Sequence, residues 1–263
     1  MENTALKDHL SGQINKQQTE IASNITPIST STEVASINNS EFIALTSNAL
    51  DVIGENLKNR QLSPALFDTI KAPSGGITSF TVPSIGGDVM EKELSGIILD
   101  YTTPRAYWDT PDPVEGTPPI CYSPNSLVSH DGKICAQCPN NEFGTTDNGN
   151  GNGKACKESV SVFLLQSGKI LPIIVRVPVS SKTAYMRYMT RLVGNMISVT
   201  GVVTKITLEK ATNKTGQPYA VYRFEAVRLL NSDEAAAAKA FSNKFSELID
   251  TTVADTELAE DSL

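Results

Sequence analysis

The stretch that decides the fold is SVSVFLLQSGKILPIIVRVPVS (residues 159–180), followed closely by TAYMRYMTRLVG (residues 183–194). Two apolar runs flank Ser167-Gly168, a pattern that predicts two strands joined by a turn. In the second stretch Tyr185, Met189 and Leu192 recur at helical spacing before Gly194, which predicts a short helix. Two strands and a helix therefore form the middle of the predicted domain.

Strands are also predicted on both sides of this block. EKELSGIILDYTTPRAYWD (residues 91–109) precedes it, and MISVTGVVTKITLEK (residues 196–210) and PYAVYRFEAVRLL (residues 218–230) follow it as a hairpin. Without a cysteine-rich insertion, the order is that of an OB-fold, whose helix lies between the third and fourth strands. Other small β-barrels share these elements. The predicted class is mainly β with α, an OB-fold-like five-stranded β-barrel with a zinc-ribbon insertion, N-terminal helices, and a C-terminal helix plus acidic tail.

The rest of the chain is divided by composition. Residues 1–40 are rich in Ser, Thr, Asn and Gln with no sustained apolar period, which is typical of disorder or low order. The predicted parts are a low-order N-terminal segment (1–40), a helical extension and linker (41–88), the OB-fold-like domain (89–230) with its insertion at 121–157, a C-terminal helix (231–250) and an acidic flexible tail (251–263).

The composition is that of a soluble globular protein, with 263 residues, 40% hydrophobic and 19% charged. No apolar run approaches the ~20 residues that span a bilayer, and the N-terminus lacks a signal-peptide pattern. We therefore expect no membrane partner and a cytoplasmic location, where thiols stay reduced.

The net charge of −7 is unevenly distributed. Residues 1–120 carry 7 Lys/Arg and 15 Asp/Glu (−8), residues 121–230 carry 13 and 6 (+7), and residues 231–263 carry 2 and 8 (−6). A pI of about 5.0 argues against a generic nucleic-acid binder. The basic middle nevertheless leaves nucleic-acid binding open.

All four cysteines lie in one segment, Cys121, Cys135, Cys138 and Cys156, with the spacing C-x13-C-x2-C-x17-C. A C-x2-C turn lets two thiolates point at one ion, and the outer two can complete a tetrahedral four-thiolate site. Four thiolates leave no open position, so we expect one structural Zn²⁺ per chain. The Asn/Gly-rich loop 147–153 has little side chain to bury, and a metal can supply the missing folding free energy.

Other chemistries of the cysteines remain open. Two disulfides would need an oxidising compartment, and a thioredoxin-like pair should open a helix, whereas Pro139 and a polar loop follow here. An iron–sulfur cluster also uses four cysteines. His130 could replace one cysteine, although a histidine in a polar loop is more often simply solvent-exposed.

The sequence favours binding over catalysis. It contains no phosphate-binding loop, nucleophile elbow or dinucleotide fingerprint, and its two histidines, His9 and His130, form no catalytic zinc pattern. We therefore expect a protein that is not an enzyme.

Aromatic and basic residues coincide in the middle of the chain, where eleven of the sixteen aromatics lie between Tyr101 and Phe224. Single-strand binders combine a basic groove with stacking aromatics. Strand alternation assigns Tyr222 and Phe224 to the core, and the Pro- and Asp-rich surroundings of Trp108 predict a surface position. The residues predicted to contact nucleic acid are Tyr101, Arg105, Tyr107, Trp108, Lys133, Phe143, Lys154, Lys157, Arg176, Lys205, Tyr219 and Arg223.

Four motifs, in order along the chain, are IKAPSGG (70–76), CPNNEFG (138–144), GKACK (153–157) and LPIIVRVPVSS (171–181). On these motifs, residues 64–230 resemble a family of phage and mobile-element proteins that bind single-stranded DNA through an OB-fold with a zinc-finger insertion. The chain is also similar in plan to phage replication proteins with a zinc-bearing OB domain and an acidic tail. The resemblance implies that Cys121, Cys135, Cys138 and Cys156 are the zinc ligands.

The expected function is largely sequence-independent single-stranded DNA binding in phage or mobile-element replication or recombination, in the cytoplasm of the bacterial host. The acidic tail would then regulate access to the groove or recruit replication and recombination proteins. The alternative is a zinc-stapled structural or protein-interaction module, such as a virion component or adaptor, without nucleic-acid binding. A regulator of duplex DNA would need a basic recognition helix, and the helices predicted at 40–59 and 233–249 are neutral to acidic.

Overall fold

The computed structural model describes residues 41–45, 49–58, 62–110, 117–146, 152–213 and 216–249. The predicted low-order segment 1–40 and the predicted acidic tail 251–263 lie outside these residues.

The described chain is mainly β with α. Its helices are α1 (Ala49–Leu57), α2 (Val179–Gly194) and α3 (Ser232–Leu248). Its strands are β1 (Thr69–Ile70), β2 (Phe80–Val82), β3 (Val89–Glu91), β4 (Glu93–Thr102), β5 (Arg105–Tyr107), β6 (Cys121–Ser123), β7 (Lys157–Glu158), β8 (Val160–Leu165), β9 (Ile173–Val177), β10 (Val202–Thr212) and β11 (Pro218–Leu229).

The main sheet has six strands in the order β1-β9-β8-β4-β10-β11. All neighbours are antiparallel except β1 and β9, which are parallel with Thr69 opposite Ile174. The central strand β4 pairs with β8 and β10, so that Ile97 lies opposite both Leu165 and Val203. Among the described residues no pairing joins the edge strands β1 and β11. The sheet is therefore open, which corrects the expectation of a closed five-stranded barrel.

The first hydrophobic core lies between the sheet and α2. Val160, Val162 and Leu164 of β8 point into it, and α2 contributes Tyr185, Tyr188 and Leu192. The strand β2 and the hairpin strands β10 and β11 add the remaining side chains, including Tyr222. The burial of Tyr185 and Leu192 confirms the helical face that the sequence predicted.

A second core covers the opposite face of the sheet. Phe163 and Leu165, which alternate with the residues of the first core along β8, meet Phe67 and Phe245 there. The three phenylalanine rings pack edge to face at centroid distances of 5.5–6.1 Å. Because both faces are covered, β8 is buried along its whole length, and all of its residues except Ser161 are apolar.

The second face is covered by α1, the segment before β1, and α3. Helix α3 begins with a capping box in which the Asn231 side chain accepts from the backbone N–H of Glu234, whose carboxylate accepts from the Asn231 N–H. Ser242 of α3 donates a hydrogen bond of 2.8 Å to the carbonyl of Leu99, which anchors the helix to β4. The two ends of the described chain therefore hold the same side of the sheet.

Candidate metal centre and nucleic-acid interface

The cysteine module is built on a small sheet of order β6-β5-β7. We use this name for residues 105–108, 117–146 and 152–158. In its register Tyr107 lies opposite Cys121 and Arg105 lies opposite Glu158. β6 begins at Cys121 and Cys156 directly precedes β7, so the outer two cysteines lie at the starts of the two strands that flank β5.

The inner two cysteines lie on a short 3-10 turn, Cys135–Gln137 and the residue after it. The N–H of Cys135 donates to the carbonyl of Leu127 (2.9 Å), and the N–H of Cys138 donates to the carbonyl of Cys135 (3.3 Å). The N–H of Cys156 donates to the carbonyl of Asn140 (2.8 Å), which draws the outer cysteine back to the C-x2-C turn. Backbone hydrogen bonds therefore bring distant cysteines together without any help from their side chains.

The four thiols line one small cavity. It has a volume of about 20 Å³ and is completed by Arg105, Ser123, Ser129 and Lys133. A water needs at least ~10–15 Å³ measured in this way, so the cavity has room for a single ion. All four cysteines are free thiols, and Cys135 and Cys156 are buried. Four cysteine thiols around one cavity are the type of donor that thiophilic metals such as Zn²⁺ take.

Burial and neighbouring charges shift the pKa values of two of the cysteine thiols. Burial raises the pKa of the Cys156 thiol to about 12, while the Arg105 guanidinium acts in the opposite direction. Burial, and then the negative charge of Asp131, raise the pKa of the Cys121 thiol. Metal ligation requires thiolates, so ion binding here must displace protons. The positive charges of Arg105 and Lys133, which line the cavity, would partly offset the charge of the thiolates once a metal is bound.

A second, overlapping donor set lies at the edge of the module. Ligand atoms of Cys121, His130 and Asp131 lie within 4.8 Å of one another, with both His130 and Asp131 exposed. The Asp131 carboxylate already accepts from Ser129 Oγ and pairs with Lys133 Nζ, each at 2.5 Å. Among the described residues this donor set is the one group of Cys, His, Asp and Glu whose ligand atoms all lie within 4.8 Å of one another, so no three of the four cysteine sulfurs lie this close together.

Arg105 is a structural residue of the module. Its side chain is buried, and its guanidinium donates to Asn141 and pairs with Glu158. Lys182 of α2 pairs with the other oxygen of Glu158. This position argues against direct contact of Arg105 with nucleic acid. The sequence analysis did not identify Asn141 or Glu158, since their role depends on the register of β5 against β7.

Two further predicted contact residues are also buried. Trp108 is only 8% exposed, and its indole N–H donates to the carbonyl of Thr117 (3.0 Å). The prediction of a surface position for Trp108 is therefore wrong, because Thr117, between β5 and β6, accepts from the indole, and Ala106 of β5 and Tyr122 of β6 pack with it. Arg176 of β9 is 1% exposed and donates to Ser161 Oγ (3.2 Å), which argues against contact with nucleic acid.

The remaining predicted residues of the module differ in exposure, with Phe143 and Lys133 exposed and Lys154 half-buried. The Phe143 ring is 80% exposed, and Lys154 Nζ lies over it at 4.8 Å from the centroid. Lys154 also donates to Asn141 Oδ1 (3.1 Å), so the residue that holds Arg105 also orients Lys154. Lys157 is also half-buried.

The predicted residues of the main sheet are less available. Lys205 of β10 pairs with Glu225 (3.0 Å), and Arg223 of β11 pairs with Glu209 (2.7 Å). Tyr101, Tyr107 and Tyr219 are half-buried, and the Tyr101 ring packs edge to face on Tyr185 at 5.5 Å. Tyr222 is fully buried and Arg223 is exposed, which confirms the alternation predicted for β11.

Comparisons with known proteins identify no relative. No family model, no curated protein and no solved structure matches the chain. Within the described part of the chain, no helix combines the length and the apolar character needed to cross a bilayer. The charge, burial and contacts of the chain's own residues therefore carry the functional inference.

Proposed function

We propose that the chain is a non-enzymatic, largely sequence-independent single-stranded DNA-binding protein whose cysteine module contacts the strand. The observation that carries this proposal is the exposed Phe143 ring with Lys154 beside it. An aromatic face binds any base by stacking, and a neighbouring ammonium binds phosphate, which is the combination that single-strand binders use. Single exposed apolar residues are common on protein surfaces, so it is the pairing of this ring with the Lys154 ammonium, rather than its exposure alone, that supports a ligand at this position.

The connectivity of the main sheet supports an OB-fold-like arrangement. Numbering only β4, β8, β9, β10 and β11, the first strand pairs with the second and the fourth, and the pairs two–three and four–five are adjacent. Helix α2 connects the third strand to the fourth, as the helix of an OB-fold does. We propose that the domain is an open variant of this fold, with α2 packed across the unclosed side.

The ligand face of an ordinary OB-fold is covered in this chain. OB-folds bind oligonucleotides on strands two and three and on the loops between strands one and two and between four and five. Here Phe163 and Leu165 of β8 and Ile174 of β9 are covered by the second core. The cysteine module is the connection between β4 and β8, the first of those two loops. We therefore assign the DNA contact to the module rather than to the sheet.

The proposed metal is one structural Zn²⁺ held by Cys121, Cys135, Cys138 and Cys156. Four thiolates would leave the ion no open position for a substrate, in agreement with a non-enzymatic role. Its function would be to fix the turns on either side of Phe143 and Lys154. Holding this pair in one orientation would strengthen base stacking, because side chains that are already ordered lose less conformational entropy when a base binds.

The biological setting rests on the resemblance to phage and mobile-element proteins. It implies a role in DNA replication or recombination in the cytoplasm of a bacterial host. Replication or recombination proteins would be recruited by residues 251–263, which carry four acidic residues and no basic one.

Fluorescence anisotropy with a labelled dT oligomer tests the function. The zinc-loaded chain should bind at low salt and lose affinity steeply as salt is added, because phosphate contacts release counterions. Phe143→Ala should cost ~1–3 kcal/mol of binding free energy, the usual value for one stacked base. Phe143→Trp should bind at least as well as the wild type, since it keeps an aromatic face. An absence of binding at low salt would refute the proposal.

A zinc-stapled protein-interaction module is the second candidate. The observation in its favour is the exposed apolar surface of the module, where Leu127 and Ile134 are also open to solvent. The two candidate functions predict different molecules that co-purify with the protein from the cell. A high ratio of absorbance at 260 nm to that at 280 nm after purification without nuclease supports DNA binding, and a protein-like ratio supports the interaction module.

A further inference from the structure

The exposed side of α2 forms a shallow groove that no part of the sequence analysis assigned to a function. Its volume is about 630 Å³. The residues that line it include Val179, Lys182, Met186, Arg187, Thr190 and Arg191. They lie on the face of α2 opposite to Tyr185, Tyr188 and Leu192, which are buried in the first core. The groove is therefore a property of the surface and does not contribute to core packing.

This part of the chain lacks acidic residues. From Ser159 to Leu208 there is no Asp or Glu, although the whole chain has 29. The same fifty positions hold six basic residues, Lys169, Arg176, Lys182, Arg187, Arg191 and Lys205. In a chain with a net charge of −7, a helix without any carboxylate offers a local attraction for polyanions that the overall pI conceals.

The two arginines on this face are available to a ligand. Arg187 and Arg191 are exposed, and within the described ranges neither forms an ion pair. The two arginines of the hairpin differ, because Arg223 pairs with Glu209 and Arg228 pairs with Glu41 and Glu234. An arginine that no carboxylate neutralises keeps its full attraction for a phosphate.

The groove adjoins the cysteine module through one carboxylate. Lys182, near the start of α2, pairs with Glu158, and Glu158 pairs in turn with Arg105 of the module. Lys157 lies next to Glu158 on β7. A strand that stacks on Phe143 could thus continue along α2 past Lys182 toward Arg187 and Arg191.

We propose that the exposed face of α2 binds the sugar–phosphate backbone of single-stranded DNA, with Arg187 and Arg191 as phosphate contacts. Residues four apart on a helix have Cβ atoms about 5–6 Å apart, so both guanidiniums can bind neighbouring phosphates of one strand. Met186 and Val179 supply apolar surface between the charges for sugars or bases. This inference rests on the proposed function and gives the strand a second point of contact, away from the cysteines.

The test is the salt dependence of dT oligomer binding by the full-length chain and by Arg187→Ala/Arg191→Ala. Each lost phosphate contact should reduce the slope of log K against log salt by ~0.7, so the double variant should lose ~1.4 from the slope and on the order of tenfold or more in affinity at low salt. The matched control is Lys239→Ala/Lys244→Ala, which removes the same charge from exposed positions on α3. The control should keep the wild-type slope and affinity.

The failures of the two proposals are distinguishable. One outcome is that the wild type binds dT, that Phe143→Ala weakens this binding, and that Arg187→Ala/Arg191→Ala changes neither the salt slope nor the affinity. This outcome would refute the α2 contact and leave the proposed function standing. If the wild type binds no oligonucleotide, both are refuted. If the double variant loses affinity for poly-glutamate and keeps its full affinity for dT, the groove is a site for acidic proteins and the DNA assignment is refuted. Circular dichroism should show an unchanged melting temperature for both variants, since all four positions are exposed.

Discussion

The main sheet and the cysteine module are stabilised in different ways. Among the described residues, the sheet is covered by clusters of 19 and 17 buried hydrophobic residues. The module has a cluster of three, Ala106, Trp108 and Tyr122. The rest of its interior consists of cysteines, serines and the Arg105–Glu158 pair.

This difference indicates where folding free energy comes from in each region. Apolar burial contributes roughly 25 cal/mol per Å², so two large clusters can stabilise the sheet without assistance. Three hydrophobic residues cannot offset the conformational entropy of a module of this length. A metal at the four thiols would supply the difference, and the module should then fail selectively when the metal is removed.

Removal of the metal should have the largest effect. Zinc binding contributes ~10–16 kcal/mol in small zinc-finger peptides, and most of it is folding free energy. A chelator should therefore unfold the module and leave the sheet folded. Trp108, the single tryptophan, reports on the module, so its emission should shift to longer wavelength while the far-UV circular dichroism is largely retained. Cys138→Ser should reproduce this shift without chelator. An unchanged Trp108 emission after loss of the metal would contradict the claim that the module, unlike the sheet, depends on the metal to fold.

The next largest effect is expected in the second core. Phe163 is 1% exposed and packs against Phe67 and Phe245. Phe163→Ala should lower the free energy of unfolding in urea by ~3–5 kcal/mol, because it leaves a cavity between three rings. The same substitution at the exposed Phe143 should change it by less than about 0.5 kcal/mol. An equal loss of unfolding free energy in the two variants would contradict the claim that Phe163 stabilises the fold and Phe143 does not.

The smallest effect is expected on the outer surface of the hairpin. Exposed ion pairs contribute about 0–1 kcal/mol, so Lys205→Ala or Arg223→Ala should change the unfolding free energy by less than that. The partners Glu225 and Glu209 already neutralise these charges. Each variant should therefore reduce affinity for dT less than Arg187→Ala/Arg191→Ala does. A loss of dT affinity larger than that of Arg187→Ala/Arg191→Ala, measured by anisotropy titration, would instead indicate that DNA binds on β10 and β11.

Local patterns were sufficient to predict most elements of the sheet. The apolar runs around Ser167-Gly168 became β8 and β9, and the spacing of Tyr185 and Leu192 placed the buried face of α2 correctly. Alternation along β11 likewise predicted that Tyr222 is buried and Arg223 is not. Both predictions succeeded because each pattern follows from the geometry of a single element.

Features that depend on distant partners were not predictable in this way. The continuous burial of β8 depends on Phe67 and Phe245, which lie far away on either side in the sequence. Trp108 was misplaced because polar neighbours in the sequence do not reveal that Thr117 and Tyr122 enclose the ring. The availability of Arg187 and Arg191 likewise depends on where carboxylates lie in space. The absence of Asp and Glu from 159–208 is the one signal in the sequence that could have indicated it.

The metal content of the chain tests the contrast between the two regions most directly. Elemental analysis should be performed on protein purified under reducing conditions without chelator, with Cys138→Ser as the matched variant. The wild type should contain about one zinc per chain, and the variant substantially less, because four thiolates form one closed tetrahedral site. Wild-type protein that contains no metal, and whose Trp108 is nevertheless buried, would contradict the account.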